Sequence, residues 1–192
     1  MPEPIFLTTE KGYKIRILSP FDYDLMEKVI DKPYLLTIFN IARWTGMRYA
    51  EIRRLYDHPE WVMTERKHIH LDSKAQKKVK RKALERHVPI PTQIENELKY
   101  FFKNQRPPTM QTWDENLKRW ADKAGLGIEG ISAKMTRASL ETWMVAAGLD
   151  DRSICLRQGH NTITSLNHYQ ALPNLFTVSE RLEIEKRLAG WK

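Results

Sequence analysis

The chain has 192 residues, 41% of them hydrophobic, which is enough for one substantial core and cramped for two. Its 32 Lys and Arg against 24 Asp and Glu leave a formal charge of +8, a balance that suits a polyanionic partner. A single cysteine, Cys155, excludes an intrachain disulfide and a cysteine-based zinc cluster, and no apolar run approaches the roughly 20 residues of a membrane span. The N-terminus lacks the basic-then-apolar layout of a secretion signal, so the chain reads as soluble and cytoplasmic.

Residues 1–18 alternate loosely, and Tyr13-Lys14-Ile15-Arg16-Ile17-Leu18 is open to three readings: a short strand, a linker remnant, or part of an upstream region. Residues 1–19 are therefore set apart as an N-terminal extension, and 20–192 as one domain. Ser19-Pro20 followed by Phe21, Leu25, Met26 and Ile30 has the cap, the early proline and the spacing of an amphipathic helix. From Pro33, the apolar positions Leu35, Leu36, Ile38, Phe39, Ile41 and Ala42 predict a buried helix to Trp44, interrupted by Thr45-Gly46. A short helix with Ile52 and Leu55 follows. Trp61-Val62-Met63, His68–Leu71 and His87–Pro91 predict three strands of a small antiparallel sheet. The turn between the last two carries Lys77-Lys78-Val79-Lys80-Arg81-Lys82. Beyond it the helical pattern returns with Ile94, Leu98, Phe101 and Phe102, and again with Trp113, Leu117, Trp120 and Ala124. Leu140, Trp143, Met144 and Ala147 mark another helix stopped by Gly148. Asp150 or Asp151 caps the next, and a last helix spans about 179–189. The expected fold class is α+β, mainly helical with a small three-stranded antiparallel sheet.

The chemistry gathers in the last third, where Lys134-Met-Thr-Arg137, Gln158-Gly159-His160 and Asn167-His168-Tyr169 come in order. Breaking a phosphodiester without a metal requires an oxygen nucleophile, fixed positive charge for the nonbridging oxygens and an acid for the departing 5′ hydroxyl. Arginine suits the charge role because its planar fork donates two parallel hydrogen bonds to phosphate. Arg48, in Thr45-Gly46-Met47-Arg48, and Arg137, one turn beyond Lys134, are the candidates. Taken singly, each of these residues has an ordinary structural reading, as a surface arginine, a solvated helix face, a helix-end histidine or a packing tyrosine.

Order and spacing together are more specific, and the chain over about 20–192 resembles the catalytic domain of the tyrosine recombinase or integrase family. That family has an arginine after a Thr-Gly pair, a lysine in a β-hairpin turn, a His-x-x-Arg motif, then Leu-Gly-His and a tyrosine nine residues on. Arg48, the turn lysines, Lys134 with Arg137, His160 and Tyr169 match these in order; Arg137 and His160 are 23 residues apart and His160 and Tyr169 nine. Lys134 stands where histidine is usual, which serves a phosphate contact but not proton transfer, and Gln158 replaces leucine.

The resemblance implies a site-specific recombinase, the integrase of a virus, plasmid or other mobile element, working without cofactor or metal. Tyr169 is then the nucleophile, Arg48, Arg137 and Lys134 the phosphate cations, His160 a hydrogen-bond donor or proton acceptor, and Lys78 or Lys80 the acid. Strand register cannot be set from sequence, so the choice between those two lysines stays open. Lys77, Arg81, Lys82 and Arg86 are the further expected DNA contacts. The implied partners are double-stranded DNA and three further copies of the chain on two duplexes. The upstream DNA-clamping domain usual in the family has no counterpart in these 192 residues. A type IB topoisomerase-like enzyme and a catalytically silent DNA-binding module of the same fold are the alternatives.

Overall fold

The computed structural model describes residues 3–9, 12–72, 85–159 and 173–191. Two strands, β1 (Ile5–Thr8) and β2 (Lys14–Ile17), pair antiparallel from Ile5↔Ile17 to Thr8↔Lys14, so of the readings open for Tyr13–Leu18 the structure shows a short strand, paired with one that was not expected. Leu7, Ile15 and Ile17 point inward, and the hairpin is stitched to the rest of the domain through Arg16. Its backbone N–H donates to the Gly130 carbonyl at 2.9 Å, and its guanidinium to the Leu126 carbonyl at 2.8 Å.

Helix α1 (Pro20–Val29) begins with reciprocal capping: Ser19 Oγ accepts from the Asp22 N–H at 3.2 Å, and Asp22 accepts from the Ser19 N–H at 3.1 Å. Helix α2 (Pro33–Thr45) is buried along nearly its whole length and is the central element. Helix α3 (Tyr49–Asp57) follows after three residues. The second sheet has the order β3 (Val62–Met63), β4 (His68–Leu71), β5 (Arg86–Pro89), all antiparallel. Trp61, expected in the first of these strands, lies in a 3₁₀ turn before it. Four helices follow: α4 (Glu95–Phe101), α5 (Met110–Lys123), α6 (Lys134–Ala146) and α7 (Asp151–Gln158), the last capped by Asp150. Helix α8 (Val178–Arg187) closes the described chain.

The core lies between α1, α2, α5 and α6, where Trp113, Trp120, Trp143, Tyr23 and Phe39 are all buried. Edge-to-face pairs at 5.2 Å (Tyr23 with Trp143) and 6.3 Å (Phe39 with Trp120) make this a directional packing. The polar ends of Trp143 and Tyr23 are satisfied by backbone. Trp143 Nε1 donates to the Leu18 carbonyl at 2.9 Å, and the Tyr23 hydroxyl to the Thr136 carbonyl at 3.2 Å.

Helix α8 is held on its own chain by Ile184 and Leu188 and by a shared charge network. Arg187 and the buried Arg43 both bind Asp24, at 2.6 and 3.2 Å, and Arg43 reaches Glu27 at 3.1 Å. Among the described residues, no helix is long and apolar enough to cross a membrane.

Candidate active site

Helix α2 must stop and reverse at Gly46, whose φ of +63° is the left-handed conformation that glycine adopts without cost. The turn is tied internally, with Thr45 Oγ1 donating to the Ile41 carbonyl and accepting from the Met47 N–H at 3.2 Å. Met47 is fully buried, so the next residue, Arg48, emerges at a fixed place as the N-cap of α3. Glu51, one turn on, reaches back to the Arg48 N–H at 2.7 Å and also accepts from Arg48 Nη1 at 3.0 Å. Arg48 itself stays half exposed while Glu51 is buried.

Arg137 enters from the first turn of α6. Its two terminal nitrogens donate to different backbone carbonyls, Nη1 to Gly46 at 2.9 Å and Nη2 to Gln158. One guanidinium thus bridges the Gly46 turn and the end of α7. Arg86, at the start of β5, comes from the other side. Its Nη1 donates to the carbonyls of Arg157, at 3.1 Å, and Gln158, and its Nη2 donates to Glu51 at 2.5 Å. The carbonyl end of α7 is the negative end of the helix, and it receives two cations at once.

Both turns are built around glycine because there is no room for more. A Cβ on Gly46 would overlap the Gln158 side-chain amide, and one on Gly159, at φ +64°, would lie 2.5 Å from Arg86 Cδ. The fully buried Gln158 side chain therefore packs on the arginine-bearing turn, and its amide finds no hydrogen-bond partner among the described residues.

Three guanidiniums, from Arg48, Arg86 and Arg137, share this site with two buried carboxylates, Glu51 and Glu141. Burial first, and then the charges of Arg48 and Arg86, push the Arg137 guanidinium down to about 9, with Glu51 and Glu141 opposing. Arg86 is lowered too, by burial and by Arg48, with Glu51 opposing. An anion placed here would relieve both. The arrangement can therefore bind a phosphate and neutralise charge that grows on it.

Of the expected site residues, the structure brings Arg48 and Arg137 together and leaves Lys134 exposed at the first position of α6, one turn before Arg137. Arg86 was expected to contact DNA. It is instead 6% exposed and its guanidinium is spent on Glu51 and two carbonyls, because it faces inward with Val88 on the alternating strand. Lys77, Lys78, Lys80, Arg81, Lys82, His160 and Tyr169 lie outside the described residues. Leu71↔Arg86 is the last described register pair on either side of the lysine-rich segment, and Gly159, the last described residue of its segment, immediately precedes His160 in the sequence.

Glu51 was missed by the sequence reading. Its signal was the N-cap-to-N3 spacing of Arg48 and Glu51 at a helix start, the same spacing as a capping box. The role of the Gln158 carbonyl had no signal, since a backbone acceptor leaves no mark on residue identity.

The phage integrase family model matches residues 22–174. Among solved structures, an XerA recombinase superposes with a TM-score of 0.64 at 15% sequence identity, covering 90% of this chain. The chain spans 65% of that recombinase. No curated protein sequence matches.

Proposed function

The chain belongs to the phage integrase family of tyrosine recombinases, and from that premise we propose that it is a site-specific DNA recombinase that cleaves and rejoins strands through a 3′-phosphotyrosine. The observation that carries the reading is the convergence of Arg48 and Arg137 on one cationic site built on the Gly46 turn and the Gln158 carbonyl, two residues before His160 in the sequence. In the proposed reaction Tyr169 Oη attacks the scissile phosphorus, forming the new P–O bond as the bond to the 5′ oxygen breaks. The phenol proton passes to a base, in which His160 takes part, and Lys78 or Lys80 protonates the departing 5′ oxygen. Arg48, Arg137 and Lys134 hold the nonbridging oxygens. A phenol with an ordinary pKa near 10 needs such neighbours to become an oxyanion at neutral pH.

The bond energy is kept in the phosphotyrosine, so the 5′ hydroxyl of a partner strand can reverse the step with no cofactor. Exchange of partners then uses four protomers on two duplexes, in the host cytoplasm or nucleoid where a mobile element integrates. The lysine-rich turn, including Lys77, Arg81 and Lys82, supplies phosphate contacts along the duplex.

The test is incubation of the chain and its Tyr169→Phe form with nicked, labelled duplexes in EDTA, followed by a denaturing gel. A covalent band that requires Tyr169 supports the reading, and strand exchange between two labelled duplexes separates a recombinase from a topoisomerase-like enzyme. DNA binding without a covalent band in any substrate would leave only a silent DNA-binding module.

A further inference from the structure

We propose that Arg86 is a positioning residue of the cleavage reaction, setting the relative placement of the Arg48 turn, the Arg137 fork and the segment that leads into His160. The inference rests on the strand-cleavage reading above. Arg86 contributes nothing to the surface; its side chain is 5% exposed. It touches each of the other parts of the site instead. Through Nη2 it holds Glu51, which in turn caps and pairs Arg48. Through Nη1 it holds the carbonyls of Arg157 and Gln158, the second of which also accepts from Arg137. Gly159 has no side chain where the stem of Arg86 passes, so the residue before His160 is shaped to this arginine.

Stability alone is a poor explanation for such a group. A buried ion pair generally does no better than apolar side chains of similar volume, because desolvation offsets the attraction. Here the buried cation also sits beside two more arginines. Its chemical effect is different: Arg86 occupies one oxygen of Glu51, so that carboxylate is divided between two guanidiniums. Without Arg86 the Glu51 carboxylate, which already holds the Arg48 N–H through Oε2 and Arg48 Nη1 through Oε1, would set its charge against Arg48 alone, cancelling charge that a phosphate requires. Arg86 therefore keeps Arg48 available while fixing where it stands.

The experiment compares the wild-type chain with Arg86→Gln, Arg86→Lys and Arg86→Ala, the last with and without millimolar methylguanidinium. Four quantities are read: the single-turnover rate of covalent joining to nicked duplex, duplex affinity, the urea midpoint, and the apparent affinity for orthovanadate from thermal stabilisation. Arg86→Gln should join DNA about 100-fold more slowly while holding duplex within about threefold of wild type. Arg86→Lys, which keeps charge but not the fork, should recover only part of the rate, and methylguanidinium should accelerate Arg86→Ala. An unchanged rate per folded molecule overturns the proposal, and so does a loss of rate that tracks a loss of duplex affinity, since that would make Arg86 a DNA contact. If the wild type forms no covalent joint, the cleavage reading fails and the vanadate arm decides for Arg86. An apparent vanadate affinity that drops about tenfold in Arg86→Gln preserves its control of the anion site, whereas equal or absent vanadate binding overturns it.

Discussion

Replacing Gly46 by alanine tests the contact between the arginine-bearing turn and the end of α7. At φ +63°, an L-residue in the left-handed region costs about 1–2 kcal/mol, less the roughly 0.4–1 kcal/mol by which alanine restricts the unfolded chain. The new methyl would also overlap the fully buried Gln158 side-chain amide, and forcing an extra carbon into a packed site costs about 1–3 kcal/mol more. The expected loss is about 3 kcal/mol in urea unfolding. Gly148 supplies the control: its φ is +74° with nothing within 4 Å of a Cβ, so Gly148→Ala should lose about 1 kcal/mol or less. In a Gln158→Ala background the clash at Gly46 disappears and only the backbone part of the cost remains. The double-mutant cycle should then show a coupling of about 1–3 kcal/mol. Additive losses, or equal losses at Gly46 and Gly148, would mean that the Gly46 turn and the Gln158 side chain are not in contact.

Other expectations follow from the same geometry. Gln158→Leu replaces a buried amide that has no partner among the described residues with an apolar side chain, and should stabilise the fold by about 1–3 kcal/mol, read as a higher urea midpoint. Sulfate or vanadate should raise the melting temperature of the wild type, by the equivalent of about 2.7 kcal/mol at a hundredfold excess over its dissociation constant, and should do much less for Arg137→Gln. Sulfate does not titrate in this range, so its affinity has a pH dependence of defined sign. Below about 9 the unliganded Arg137 is already charged and affinity stays flat; above it a proton must be taken up on binding, so affinity falls as pH rises, with no such break in Arg137→Gln. Neutralising any turn lysine that contacts phosphate should reduce the salt slope of duplex binding by about 0.9, and an unchanged slope would remove that lysine from the DNA surface.

The helices were legible where local chemistry and core contacts agree. Ser19-Pro20 and Asp22 announce α1, and Gly46 ends α2 at the Thr45-Gly46 interruption. The ordered cations were legible as types, and Arg48 and Arg137 do meet. What failed was facing. Arg86 sits among basic residues in sequence, yet strand alternation turns it inward with Val88 toward Glu51. Register against β4 decides that, and register depends on pairing partners more than a dozen residues away. The first hairpin was ambiguous for the same reason, since Ile15 and Ile17 declare a face only once Gly130 and α6 are there to cover them. The final helix carries Arg187, whose partner Asp24 is 163 residues earlier, a relation no local pattern contains.

The proposed activation of Tyr169 by the cationic site is tested at the chemistry of the protein–DNA joint itself. The chain is reacted with a nicked duplex in EDTA, digested with trypsin and nuclease, and the nucleotide-bearing peptide sequenced by mass spectrometry. The expected product is a single phosphotyrosyl peptide bearing the 3′ nucleotide on Tyr169, abolished in Arg137→Gln. A joint on any other residue, or one that persists at the wild-type rate without Arg137, would contradict it.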